Sequence, residues 1–169
     1  HLRFVALAAE KQADFLVFPE LSLTNYEPIL AESLAVEGDD VSLDEFQKLS
    51  NLHLMTIGVG MPTRSAAGVH ISLVLFRPYQ TRLVYSKKYL HADEEPFFVS
   101  GENFTTIEVK DEAVALAICY ELSVAEHAQC ALQSGAKIYV ASVAKTAAGM
   151  EKSAEILSKL AQEHSMTVL

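Results

Sequence analysis

The chain has 169 residues, half of them hydrophobic, enough for one domain with a real core. Its formal net charge of −9, with Lys87-Lys88 as the one short basic cluster, argues against a nucleic-acid partner, because phosphate binding needs clustered cations. Two cysteines, Cys119 and Cys130, make no disulfide framework and leave a reduced, cytoplasmic setting as the default; no apolar stretch approaches the length of a membrane span.

"HLRFVALAAEKQ" reads as a helix over 2–12 rather than a secretion signal, with Leu2, Val5, Ala6 and Ala9 on one face. A short apolar strand follows at 15–18. Pro19 cannot continue a central ladder, so Glu20 stands just past a strand end. Residues 21–41 read as loop and short helix. "SLDE" from Ser42 is a capping-box pattern opening a helix to about Leu52, and 54–60 is the next strand. "MPTRSAAG" reads as a connector. Residues 69–76 and 81–86 form a hairpin, 87–102 a long surface loop, and 104–109 with 113–118 another strand pair. A second capping-box pattern, "SVAE" from Ser123, opens a helix with Val124, Ala128, Ala131 and Leu132 on one face, ended by Gly135. A strand at 137–143 and a helix at 150–164, with Ile156, Leu157, Leu160 and Ala161 inward, precede a strand just starting in "SMTVL". Near-continuous apolar strands predict an α/β fold with helix-covered sheets, in one domain spanning 1–169. Both ends read as cut.

Three chemically active residues follow apolar strands directly: Glu20, Lys87 and Cys119. In layered α/β folds chemistry collects beyond strand C-termini. A thiol needs a base before it becomes a nucleophile. A desolvated carboxylate can take that proton. An ammonium beside both can stabilise a developing oxyanion, with the Tyr120 backbone N–H as a second donor. Taken singly, each has a plainer reading: a buried cysteine filler, a surface or capping acid, a solvated lysine.

"FLVFPELSLTNY", "YSKKYL…EEPFFVSGE" and "ALAICYELS", in this order, resemble the Glu, Lys and Cys signatures of the nitrilase, or carbon–nitrogen hydrolase, superfamily, and the resemblance runs from residue 1 to residue 169. It implies an α-β-β-α sandwich of two mixed sheets with outer helices, incomplete at both termini here. It implies Glu20 as general base, Lys87 rather than Lys88 as the catalytic lysine, and Cys119 as nucleophile. A further glutamate that holds the lysine falls on Glu94, with Glu95 as rival. No metal or organic cofactor is implied. Helix packing into dimers or larger oligomers is. His70-Ile71-Ser72 departs from the family's usual Asn-Ser/Thr pair, and the stretch after "ASVAK" lacks its His-Trp pair, which puts substrate identity in question.

The expectation is therefore a hydrolase that cleaves a small amide, or less readily a nitrile, through a Cys119 thioester. The alternatives are an acyltransferase using the same thioester and a non-catalytic binding or assembly module. Glu121 is read either as a substrate contact or as a salt bridge stabilising its turn. Cys130, in mid-helix, reads as packing. Two other arrangements read as weak: a metal site at His91, Asp93, Glu94 and Glu95, and a Cys119–His127 dyad. Tyr26, Phe97 and Phe98 read equally as pocket wall or core.

Overall fold

Two four-stranded mixed sheets lie face to face, each covered on its outside by helices, in residues 1–102 and 104–169 described by the computed structural model. The first sheet has the order β1 (Phe15–Val17), β2 (Thr56–Ser65), β3 (Gly68–Phe76), β4 (Leu83–Ser86). The second has β5 (Thr106–Val109), β6 (Glu112–Ile118), β7 (Ile138–Ser142), β8 (Thr167–Val168). β1–β2, β6–β7 and β7–β8 are parallel; the other pairs are antiparallel.

The period of two along each strand sorts the side chains into three apolar layers. Between the sheets, Val69, Ile71, Leu73 and Leu75 of β3 meet Val114, Leu116 and Ile118 of β6. Outside the first sheet, Ile57, Val59, Met61, Val74 and Phe76 are covered by Val5 of α1 (Leu2–Glu10) and Phe46 of α3 (Asp44–His53), the one-turn α2 (Ala31–Leu34) lying between them in the chain. Outside the second sheet, Ala115 and Ala117 leave room for Ala128 and Ala131 of α4 (Ala125–Gln133) and Leu160 of α5 (Ala147–His164). This is the expected α-β-β-α sandwich. No helix among the described residues is long and apolar enough to cross a membrane.

Several local expectations are corrected. β2 runs on through Pro62 to Ser65, where a connector was predicted. Thr56 N, Gly58 O, Gly60 O and Arg64 N all bond on the β1 side, so by alternation the Pro62 nitrogen faces that side too, beyond the end of β1, where no ladder partner is lost. Neither capping box forms. Asp40 caps a 3₁₀ turn (Val41–Leu43) ahead of α3 by accepting from Ser42 N at 2.8 Å, and Val124 precedes α4 with no side-chain cap. On α1 the packed residue is Val5, with Leu2 and Ala6 exposed. Leu132 of α4 is exposed as well.

Candidate active site

The strand ends deliver their charges to one place. Lys87, immediately after β4, is 0% exposed; its Nζ lies 2.8 Å from Glu20 Oε1 and 2.7 Å from Glu94 Oε1. Glu94 Oε1 also accepts from the Tyr26 hydroxyl at 2.9 Å, and Oε2 accepts from His91 N at 2.7 Å. Of the two rival glutamates, Glu94 therefore stands at Lys87 and Glu95 is exposed. The predicted surface loop turns inward to make this contact. Buried charges persist only when paired and hydrogen-bonded, and this cluster meets that condition at every oxygen but one. The exception is Glu20 Oε2, which is buried with no hydrogen-bond partner among the described residues.

Two glycines let the backbone bring these groups together. A Cβ on Gly60 would sit 2.2 Å from Pro19 O and 2.7 Å from Leu21 N, so the Glu20 segment crosses β2 only where β2 has no side chain. A Cβ on Gly101 would sit 2.1 Å from Ser86 O, and Gly101 N donates to Lys87 O at 2.8 Å. Because the obstruction at Gly60 is backbone, Gly60→Ala is expected to cost about 3 kcal/mol by overpacking and to displace Glu20. Urea titration and turnover should fall together in that variant.

Cys119 follows β6 and holds φ +46°; Leu21, next to Glu20, holds φ +51°. Left-handed backbone at a non-glycine residue costs about 1–3 kcal/mol and persists where surrounding contacts enforce it. Burial, then the neighbouring Glu20 charge, push the Cys119 thiol up to about 11, against a smaller lowering by Lys87. Burial likewise raises the Glu20 carboxyl above the usual range and outweighs the Lys87 charge. Burial alone would depress Lys87, but the carboxylates Glu20 and Glu94 together hold its ammonium above an ordinary lysine. A protonated thiol thus lies within reach of a strengthened base, each shifting the other.

Glu121 departs from the substrate-contact expectation. It is 0% exposed, and both oxygens are occupied. Oε1 accepts from Lys88 N at 2.7 Å and Tyr89 N at 3.3 Å, and Oε2 from Ile118 N at 2.8 Å and Tyr85 Oη at 2.7 Å. It ties the end of β4 in one sheet to the end of β6 in the other. Its hydrogen-bond partners are backbone amides and a tyrosine; the nearest basic group, His127 Nε2 at 3.6 Å from Oε2, is held neutral by burial, so the turn is stabilised as the plainer reading expects but without an ion pair.

His127 backs this network. Tyr85 gives its proton to Glu121, so its oxygen accepts from His127 Nε2 (2.9 Å), and His127 Nδ1 accepts from Tyr139 Oη (2.7 Å). The chain of donors fixes a neutral ring with its proton on Nε2. Burial lowers the His127 pKa to about 4. The unfolded chain therefore binds a proton that the folded one refuses between the ordinary histidine value and about 4. Stability is full above that window and is lost as pH falls through it, by at most about 3 kcal/mol. Replacing His127 with Gln should flatten this acid limb in thermal melts run at stepped pH.

A cavity of about 300 Å³ opens onto the cluster, lined by Cys119, Glu94, Tyr26, Tyr120, Lys145 and Lys152, among others. The Tyr120 ring is a wall residue, edge-on to His91 at 5.2 Å. The Tyr120 N–H belongs to the opening turn of the 3₁₀ segment Cys119–Ser123, where backbone donors have no acceptor within the helix. Phe98 is core and Phe97 lies outside the cavity wall, so of the three aromatics only Tyr26 lines it. Lys145 and the two glycines were not singled out from sequence as site residues; a lysine after a strand carries no local signal of convergence. Among the described residues, no group of three or more His, Cys, Asp or Glu is arranged to hold a metal ion.

The model of the carbon–nitrogen hydrolase family matches residues 1–168. An (R)-stereoselective amidase from a Pseudomonas species is 27% identical over 130 residues, 75% of this chain and 47% of the amidase. A CN-hydrolase superfamily protein from Xanthomonas campestris, with an arsenic adduct in its active site, superposes with a TM-score of 0.86 at 16% identity, over 98% of this chain and 66% of that one. Nit3 of Saccharomyces cerevisiae, a member of branch 10 of the nitrilase superfamily, gives 0.86 at 18% identity, over 98% and 65%. An amidase variant from Nesterenkonia sp. AN1, with acrylamide added at its active site cysteine, gives 0.83 at 20% identity, over 97% and 66%. The chain thus spans about half the length of the curated amidase and just under two thirds of these solved chains.

Proposed function

We propose, from the premise that this chain belongs to the carbon–nitrogen hydrolase family, that its domain hydrolyses a small amide through a thioester on Cys119. One observation carries the reading: a buried Glu20–Lys87–Glu94 cluster with one unpartnered carboxylate oxygen meets a cysteine in a cavity sized for a small molecule. The Pseudomonas amidase and the reactive cysteine of the Nesterenkonia enzyme support the same chemistry.

The Cys119 sulfur attacks the amide carbon as Glu20 takes the thiol proton. With the thiol near 11 at rest, proton transfer and S–C bond formation proceed together rather than through a stored thiolate. The carbonyl oxygen becomes an oxyanion. Lys87 has three donors, two already on Glu20 and Glu94; the third reaches the oxyanion, and the Tyr120 N–H is the second donor. Glu94 holds Lys87 in place. Glu20 then passes its proton to the departing nitrogen, ammonia or an amine leaves, and a thioester remains. Water, deprotonated by Glu20, attacks the thioester and restores the thiol. Amides are the primary substrates and nitriles secondary. The setting is cytoplasmic, and the domain assembles into dimers or larger oligomers by helix packing.

Hydroxylamine tests the thioester. Incubated with butyramide, the protein should release ammonia, and added hydroxylamine should divert the acyl group to a hydroxamate in proportion to its concentration. Ammonia release with no hydroxamate at any concentration would refute the covalent step. Acyl transfer without hydrolysis in water would identify the transferase instead.

A further inference from the structure

The cavity above Cys119 has two chemically different sides. On the reactive side every carboxylate is already engaged: Glu94 by Lys87, Tyr26 and His91 N, and Asp93 by His91 Nδ1. Glu20 is bonded to Lys87 through one oxygen, and its carboxyl neighbours the Cys119 thiol. On the α5 side the wall is Lys145, Lys152 and Ile156. Lys145 Nζ donates to Ser153 Oγ at 2.8 Å, and Ser153, buried, passes its own proton to Gly149 O. This fixes the direction of the Lys145 stem and leaves two of its three donors for a ligand. Neither Lys145 nor Lys152 has a carboxylate within 4.0 Å among the described residues. Two ammonium groups without counter-ions thus share one wall in a chain of net charge −9. The first turn of α5, which opens at Ala147 behind the Thr146 cap, contains no acid, so nothing there cancels the positive end of the helix.

We propose that Lys145 and Lys152 form an anion subsite, and that the substrate is a small amide carrying a carboxylate at the end remote from the scissile bond. The inference rests on the amide-hydrolase reading above. The two lysines line the same cavity of about 300 Å³ as Cys119 and Glu94, so a short spacer of a few carbons spans from a carbonyl at the Cys119 sulfur to the lysines. Lys145 is near enough to Cys119 for its charge to lower the thiol slightly, which agrees with its facing the same space. Ile156 supplies the apolar strip for the spacer.

The test is a matched pair of substrates, succinamate and butyramide, which differ by a carboxylate in place of a methyl group. Succinamate should have a kcat/KM about tenfold or more above butyramide, the difference lying in KM, as expected for a charge-assisted contact. In Lys145→Met with Lys152→Met that ratio should fall to near one, and raising salt should narrow it in the wild type. Binding is read separately by the rate at which iodoacetamide alkylates Cys119. Succinate should slow alkylation more than butyrate in the wild type and equally in the double variant. If neither amide is hydrolysed but succinate still protects selectively, the hydrolase reading fails and the anion subsite stands. If both amides are hydrolysed with equal efficiency, or succinate protects no better than butyrate, the subsite is overturned.

Discussion

Cys119→Ala is expected to lower amide turnover by about four orders of magnitude or more, the scale of losing a nucleophile that works as part of a unit. Its thermal midpoint should stay within about 2 °C of the wild type. The two halves of this expectation have separate grounds. The thiol sits at the cavity edge, half-buried, and none of the network bonds that hold the strand ends run through its sulfur. Alanine keeps the backbone in the same left-handed conformation, so the strain at φ +46° is neither added nor relieved. What disappears is the one atom able to form the thioester. Cys119→Ser should be almost as inactive, because Glu20 would have to deprotonate a far weaker acid. A Cys119→Ala protein that still released ammonia at a tenth of the wild-type rate would remove the cysteine from the chemistry. A melt lowered by 10 °C would instead mean that the sulfur is structural.

Much of this site is legible in the sequence because it follows from where strands stop. "FLVFP" must end a strand, since proline cannot donate to a ladder. "AVALAI" runs apolar until Cys119. The residue after "LVYS" is a lysine. Resemblance to a family then gives these three a common purpose. The structure adds the distances and the choice of Glu94 over Glu95, because only Glu94 turns inward at the bend where His91 N caps its carboxylate. Glu121 was the harder residue. An acid two positions after a nucleophile looks like a pocket group, and nothing local shows that the backbone of Lys88 and Tyr89, from the opposite sheet, arrives to claim it. Both capping boxes failed for a related reason. Serine caps only a helix that starts where the pattern says, and here 3₁₀ turns precede α3 and α4. The inner face of α1 differs from the expected one because an alanine-rich helix has several faces of nearly equal hydropathy; Val5 is buried in the partner layer and Ala8 packs against it.

Glu121→Ala is the second large effect: it should destabilise the fold by about 3–5 kcal/mol and abolish turnover, whereas Glu121→Gln should keep the fold and lose most of kcat. The loss in alanine follows from the donors left behind. Three backbone N–H groups and the Tyr85 hydroxyl converge on one buried carboxylate, and each buried donor without an acceptor costs about 1–3 kcal/mol. Glutamine fills the same volume but replaces one oxygen with an NH₂ group, so two of the four donors would face another donor. The turn must shift to relieve that clash. It carries Ile118 and Cys119 on one side and Lys88, next to Lys87, on the other, so the sulfur and the ammonium move apart. A displacement near 1 Å at reacting groups is enough for a loss of about a hundredfold. Because Glu121 does not line the cavity, KM for butyramide should change little while kcat falls, and iodoacetamide should alkylate Cys119 at an altered rate in a protein that still unfolds cooperatively. A Glu121→Gln variant with unchanged kcat would show that the bond across the two sheets holds the fold without setting the geometry of the site. A rise in KM at constant kcat would return Glu121 to the substrate contact first read from the sequence.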